Sequence, residues 1–354
     1  MNEVLQQLSE TIREAHTAGR PLRIHGGGTK DFYGGPLRGA PLDIRPYCGI
    51  IDYEPTELAI TVRAGTPLAE VEEVLRRHGQ MLAFEPPHFG EQATLGGCIA
   101  AGLSGPRRMY AGAVRDLVLG IRLMNGEGAA LQFGGRVMKN VAGFDVSRLI
   151  AGSLGTLGVI LEASLKVLPL PATERTVVVE LPERQAIETM NLWAGQPLPV
   201  SGTAYFDNRL HVRLSGAAPG VEAAHRKLGG DALDEREAHT LWQALREHTH
   251  SFFRSGEPLW RIAVPATAQP LSLPGRTLIE WSGALRWIRG EVPASAVREA
   301  AARSGGHATL FRNGDKSVGV FQPLTPALLG LHRRLKHALD PAGIFNRGRL
   351  YPDF

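Results

Sequence analysis

The sequence predicts an α+β chain of two domains with a short closing element, and three observations carry that prediction. Its 354 residues are long enough for two domains of roughly 150 residues each. A proline pair, Pro169-Leu170-Pro171, falls where a glycine-rich first half gives way to ordinary strand and helix patterns. Strands and helices alternate in both halves, and the second half reads as an antiparallel sheet with helices on one face. The expected domains are 1–170 and 171–325, with a helix and segment over 326–354 that end the chain.

The elements of the first half follow from local patterns. Leu5, Leu8, Ile12 and Ala15 recur at helical spacing and predict an amphipathic helix at the start. The same stretch carries Glu3, Glu10 and Glu14 and no apolar core, which argues against a signal peptide. Ile60 and Val62 alternate within 56–64, the mark of a half-buried strand. Thr66-Pro67 opens a helix whose apolar face is Leu68, Val71, Val74 and Leu75, and Gly79 stops it. Residues 117–123 and 129–133 flank Asn125-Gly126 and predict a β-hairpin. Asp145 is placed to cap a short helix over 146–151 that Gly152 ends, and 159–168 is a further strand.

Beyond the prolines, strands are expected over 176–181, 200–206, 210–214, 260–264, 277–281 and 285–289. Helices are expected over 184–193, 221–228, 235–254, 294–304 and 325–339.

Composition narrows the function classes. Hydrophobic residues make up 43% and charged residues 21%, as in a globular chain with a sizeable core. The net charge of +4 is spread without a basic run, which argues against nucleic acid as a partner. Cys48 and Cys98 are two thiols where an iron–sulfur cluster needs four, and free thiols fit a reducing compartment. The apolar stretches 95–103 and 149–161 are too short and too rich in glycine to span a bilayer. The expected setting is the cytoplasm, with peripheral membrane attachment compatible.

Three small-residue segments stand out. Gly26-Gly27-Gly28-Thr29-Lys30 can turn successive amides inward as an anion nest, for which a pyrophosphate is the natural guest. The segment 94–105 holds Thr94, Gly96, Gly97 and Gly102 and leaves room for a ligand against its backbone. The third, 152–160, enters a strand through Gly158, Val159 and Ile160. Its glycines at 152, 155 and 158 do not have the G-x-G-x-x-G spacing of a dinucleotide fold. The chain also lacks a P-loop, a G-x-S-x-G elbow and an H-E-x-x-H motif.

Together with Tyr110-Ala111-Gly112 and the C-terminal stretch Asp340–Arg349, these segments resemble the FAD-binding domain of the vanillyl-alcohol-oxidase/PCMH flavoprotein superfamily. Gly26–Gly34 and Gly134–Asp145 make the chain similar to the E-subunit branch of bacterial glycolate oxidases within it. The resemblance implies a two-subdomain FAD-binding domain, a ferredoxin-like α+β cap and a C-terminal segment that returns to the flavin site. It implies non-covalent FAD, with Gly26, Gly27, Gly28 and Thr29 at the pyrophosphate, Gly96, Gly97 and Gly102 on a second face, and Gly158, Val159 and Ile160 at the adenosine end. Thr94 belongs to the same set, and Asn346 matches the asparagine near the flavin. Arg347 stands where the superfamily often has proline, which predicts a looser turn.

The resemblance also implies a division of labour. A sister FAD subunit would oxidise a small 2-hydroxy acid such as glycolate, and an iron–sulfur subunit would accept electrons. The residues alone leave two other readings open: a self-sufficient D-2-hydroxy acid (D-lactate) dehydrogenase and a non-catalytic assembly subunit. Oxidation of a 2-hydroxy acid needs a base and a carboxylate partner, for which His307 and Arg286, Arg289 or Arg312 are candidates. Lys139 and Asn140 would order the loop before Asp145 or meet a partner.

Overall fold

The computed structural model describes residues 2–135, 146–352 and 354. The distinctive stretch from Arg136 to Asp145, with Lys139, Asn140 and the expected cap at Asp145, lies outside the described residues. The described chain forms two compact units. Unit 1 comprises residues 1–103, 113–169 and 323–354, and unit 2 comprises 104–112 and 170–322.

Unit 1 opens with the amphipathic helix α1 (Asn2–Ala18), which buries Leu8, Ile12 and Ala15. Strands β1 (Leu22–His25) and β2 (Ala40–Asp43) then pair in parallel. Strands β3 (Ile50–Glu54), β4 (Ala59–Arg63), β6 (Val118–Met124), β7 (Ala130–Gly134) and β8 (Val159–Lys166) build a five-stranded antiparallel sheet in the order β3-β4-β8-β6-β7. The short β5 (Gln80–Met81) pairs with β9 (Leu168–Pro169). Helix α2 (Leu68–Arg77) buries Leu68, Val71 and Leu75 of its predicted stripe and leaves the fourth member, Val74, half-buried. The hairpin between β6 and β7 turns through five residues, because Asn125 Oδ1 accepts from the amides of Glu127 at 3.1 Å and Ala129 at 2.9 Å.

Between these strands lie α3 (Leu95–Ala101), α5 (Val114–Leu117) and α6 (Val146–Ile150), with α4 (Arg108–Ala111) belonging to unit 2. Unit 1 closes with α11 (Pro326–Leu339).

Unit 2 is an eight-stranded antiparallel sheet in the order β13-β10-β12-β11-β15-β16-β14-β17. Its strands are β10 (Thr173–Glu180), β11 (Val200–Phe206), β12 (Arg209–Gly216), β13 (Asp231–Ala232), β14 (Leu259–Ala263), β15 (Arg276–Glu280), β16 (Leu285–Arg289) and β17 (His307–Arg312). Leu210, Val212 and Leu214 alternate inward from β12 and pack with Ala186, Ile187 and Met190 of α7 (Glu183–Ala194) and with Val221 and Ala224 of α8 (Ala218–Leu228). A second cluster joins Ile262, Ile288 and Leu310 to Val297 and Ala301 of α10 (Ala294–Arg303).

One expected helix is shorter than its pattern. Helix α9 (Glu235–Arg246) stops well before Arg254, because His248 adopts φ +54° and turns the chain. The His248 ring then stacks on Phe253 at 3.9 Å, so packing in this aromatic corner overrides the helical periodicity. Strand β17, which no local pattern announced, completes the sheet edge beside β14.

Candidate cofactor cleft

An open cleft of about 780 Å³, its mouth included, runs through unit 1. Ten of the twelve residues expected at a cofactor line it: Gly26, Gly27, Gly28, Thr29, Thr94, Gly96, Gly97, Gly158, Ile160 and Asn346. Three sequence-distant segments and the C-terminus therefore converge on one space.

The first wall is the turn after β1. The amides of Gly26, Gly27, Gly28 and Thr29 make no hydrogen bond with any described residue, although all four residues are half-buried. Unpaired, partly desolvated donors in succession are what an anion nest offers. Gly27 permits this turn by close approach, since a Cβ there would sit 1.5 Å from the Gln92 carbonyl oxygen. Lys30, also on the wall, donates from Nζ to the His88 carbonyl at 3.1 Å and lies 5.6 Å from the centre of the Phe89 ring.

The second wall is α3. The small-residue stretch 94–105 opens with a helix, because Thr94 caps it and Gly102 ends it in the left-handed region at φ +66°. Thr94 Oγ1 accepts from the Gly97 amide at 3.3 Å. Gly96, Gly97, Ala100 and Ala101 turn a face without large side chains to the cleft. Gly96 also seats the helix on β4's end, where a Cβ would meet Ala64 Cβ at 2.7 Å.

Gly102 and Val159 are not among the residues that line the cleft. Gly102 is spent on packing, its Cα side facing Gly152 Cα at 2.7 Å from any added Cβ. Val159 is fully buried at the start of β8, paired with Met124 of β6. Ile160, one residue on, faces the cleft because side chains alternate along a strand.

The third wall is Leu154–Gly158, closed by the C-terminal segment. Phe345 forms a parallel bridge to Leu22, with the Leu22 amide donating to Ile344 O at 2.8 Å and the Asn346 amide donating to Leu22 O at 2.9 Å. The Asn346 side chain ties two walls together, donating to Leu154 O at 2.6 Å and accepting from the Ile24 amide at 2.8 Å. Arg349 is buried, and its guanidinium donates to the carbonyls of Asp31, Tyr33 and Gly35. Burial draws its pKa below the usual guanidinium value against the opposing pull of Asp31. Lys336, buried in α11, holds the segment's base through Asp340 at 2.7 Å, Thr156 O at 2.7 Å and Phe345 O at 2.9 Å.

Arg347 does not loosen its turn. Its guanidinium bonds back to Gly343 O, to Ala342 O at 3.1 Å and to Gly19 O at 3.3 Å, a clasp in place of the proline constraint. Leu37 and Ile44, which no motif pointed to, also line the cleft, as do Leu154 and Gly155 of the third small-residue segment and Arg349 at the end of the C-terminal stretch.

The catalytic candidates are not presented as a set. Arg286 is buried on β16 with Nη2 donating to Ala268 O at 2.9 Å, and burial lowers its pKa to about 10. Arg289 pairs with Glu257 at 3.0 Å, Arg312 lies against the Phe311 ring, and His307 is the exposed first residue of β17. Cys98 is buried within α3 with its thiol pushed up to about 12 by burial, and Cys48 is exposed. Among the described residues no group of three potential metal ligands occurs, and no helix is long and apolar enough to cross a membrane.

Residues 3–134 match the family described as FAD binding domain. Glycolate oxidase subunit GlcE of Escherichia coli (strain K12) is 48% identical over 348 residues, covering 98% of this chain and 97% of that protein. The chain belongs to the glycolate oxidase E-subunit family. It is thereby placed among FAD-dependent oxidoreductases, and its cofactor is FAD. Glycolate oxidase subunit GlcD of Bacillus subtilis (strain 168) is 33% identical over 131 residues, 36% of this chain and 27% of that protein. An alkyldihydroxyacetonephosphate synthase structure superposes with a TM-score of 0.66 over 96% of this chain and 74% of that one, at 16% identity, a likeness of fold alone.

The geometry fits FAD on its own terms. Four consecutive unpaired amides suit a diphosphate, and a wall of glycine, alanine and aliphatic groups suits a flat aromatic or sugar surface.

Proposed function

We propose that this chain is the flavin-carrying subunit of a heteromeric glycolate oxidase that oxidises glycolate to glyoxylate and passes the electrons to an iron–sulfur partner. The observation that carries the reading is the nest of unpaired Gly26–Thr29 amides in a cleft wall shared with α3 and the C-terminal segment. A total of two cysteines supports placing the cluster on another chain. None of His307, Arg286, Arg289 and Arg312 is among the residues lining the cleft, and Arg289 and Arg286 are engaged by Glu257 and Ala268 O, which supports placing substrate oxidation on a sister flavin subunit.

In this reading the amides of Gly26, Gly27, Gly28 and Thr29 bind the diphosphate, and Lys30 and Arg349 add positive charge to the same wall. Gly96 and Gly97 leave the opposite face bare, so that planar groups pack against backbone. Asn346 fixes the distance between the β1 turn and the Leu154 loop, and Ile24, Ile44 and Ile160 exclude water. Bound FAD supplies the two-electron acceptor that oxidation of a 2-hydroxy acid requires. The wall's backbone, aliphatic and hydroxyl groups support non-covalent attachment. The complex works in the cytoplasm or against the inner face of the cytoplasmic membrane.

An anaerobic absorbance spectrum of the purified chain, before and after glycolate, tests this. Flavin bands that persist until the partner subunits are added fit the proposal. Bleaching by glycolate in the isolated chain would instead make it a self-sufficient dehydrogenase. A colourless chain that no FAD restores would leave an assembly subunit.

A further inference from the structure

The C-terminal segment buries a guanidinium that pairs with no carboxylate among the described residues. Arg349 is 5% exposed, lines the cleft and spends its donors on main-chain carbonyls of one turn: Asp31, Tyr33 and Gly35. The pairing is reciprocal, since the Gly35 amide donates to Arg349 O at 2.8 Å. That turn is the direct continuation of the nest. The Asp31 amide donates to Gly28 O at 3.0 Å and the Tyr33 amide to Lys30 O at 3.0 Å, so fixing residues 31–35 fixes the carbonyl side of Gly28 and leaves its amide side facing the cleft. Residues 345–346 hold the other end of the same turn through Leu22 and Ile24.

We propose that Arg349 is a positioning residue for the diphosphate of FAD, and that docking of residues 340–349 and retention of the flavin are mutually dependent. The guanidinium reaches these carbonyls from two nitrogens, Nη1 toward Asp31 O and Gly35 O and Nη2 toward Tyr33 O, whereas an ammonium of equal charge offers its donors from a single point. The inference rests on FAD occupying this cleft and is independent of which subunit oxidises glycolate.

Thermodynamic reciprocity gives a test on the unaltered chain. If the docked segment favours FAD, FAD must favour the docked segment by the same factor. Carboxypeptidase should therefore release C-terminal residues more slowly from the flavin-loaded chain than from the flavin-free chain, by about tenfold in a coupling of ordinary size. Equal release rates overturn the proposal. In variants, the dissociation rate of FAD is followed by fluorescence after dilution. Arg349→Ala and Arg349→Lys should both lose FAD about tenfold faster.

Full retention by Arg349→Lys would mean that charge alone matters, which also overturns the positioning role. Val297→Ala, in the buried face of α10 in unit 2, serves as a stability control. It should lower Tm without speeding FAD loss. Equal FAD loss at equal Tm would reduce Arg349 to general stability. None of these readings depends on glycolate turnover, so a chain inactive alone leaves the clasp testable.

Discussion

The two units solve the packing problem with different parts of the residue. Unit 2 is held by side chains: Leu210, Val212 and Leu214 meet α7, and Ile262, Ile288 and Leu310 meet α10. Around its cleft, unit 1 is held by main chain against main chain. A Cβ on Gly27 would strike Gln92 O at 1.5 Å, and one on Gly35 would strike Gly348 O at 2.0 Å. The difference follows from what each unit presents. A wall that offers bare amides to a ligand can support them from behind only with further backbone, which demands glycine and leaves little apolar periodicity to read.

The comparison breaks most readily at Gly27. Gly27→Ala should cost more than the about 1–3 kcal/mol of ordinary overpacking, because the obstacle is a carbonyl that cannot rotate away. The expected outcome is a chain that purifies without flavin and melts lower than wild type. A flavin-loaded Gly27→Ala of native Tm would show that the turn can reshape.

Next in size is the buried pair of α11. Lys336→Met strands Asp340, whose side chain is fully buried, and should cost about 3–5 kcal/mol in urea unfolding. Asp340→Leu added to it should recover only part of the loss, since Asp340 also accepts from the amides of Ile344 and Phe345. Full recovery would mean that the ion pair alone anchors the segment.

The smallest effect concerns unit 2. His211 is buried against Phe206, and burial lowers its pKa from 6.5 to about 4. Between those values the unfolded chain takes up a proton that the folded chain refuses, so stability falls as the pH drops from 6.5 toward 4. The loss attributable to His211 approaches about 3 kcal/mol at the acid end. His211→Leu should flatten the fall of Tm over that window. An unchanged slope would assign the acid sensitivity to other groups.

Much of the molecule was legible because hydrophobic spacing reports side-chain packing. Strand β11 and helices α7, α8 and α10 lie within a few residues of their patterns, since alternation and 3.6-residue stripes are what their cores select. The Thr94–Gly102 helix was not legible, because a helix of glycines and alanines carries no stripe and its propensity cost hides it. Arg349 was missed for a related reason. A cation near a chain end ordinarily reads as solvated, and only the return of residues 344–349 to β1 gives it carbonyls to bind. The glycine segments were visible as a group. That some of their members, Gly102 among them, serve neighbouring backbone and not the cleft became visible only in three dimensions.

Unit 1 is interrupted by the whole of unit 2, and its last piece begins at residue 323. During synthesis the chain emerges from its N-terminus, and compact units fold as they are completed. Unit 2 has all its strands once β17 has left the ribosome, whereas the cleft still lacks Asn346 and Arg349. The growing chain is thus, at that point, a finished sheet carrying an unfinished container.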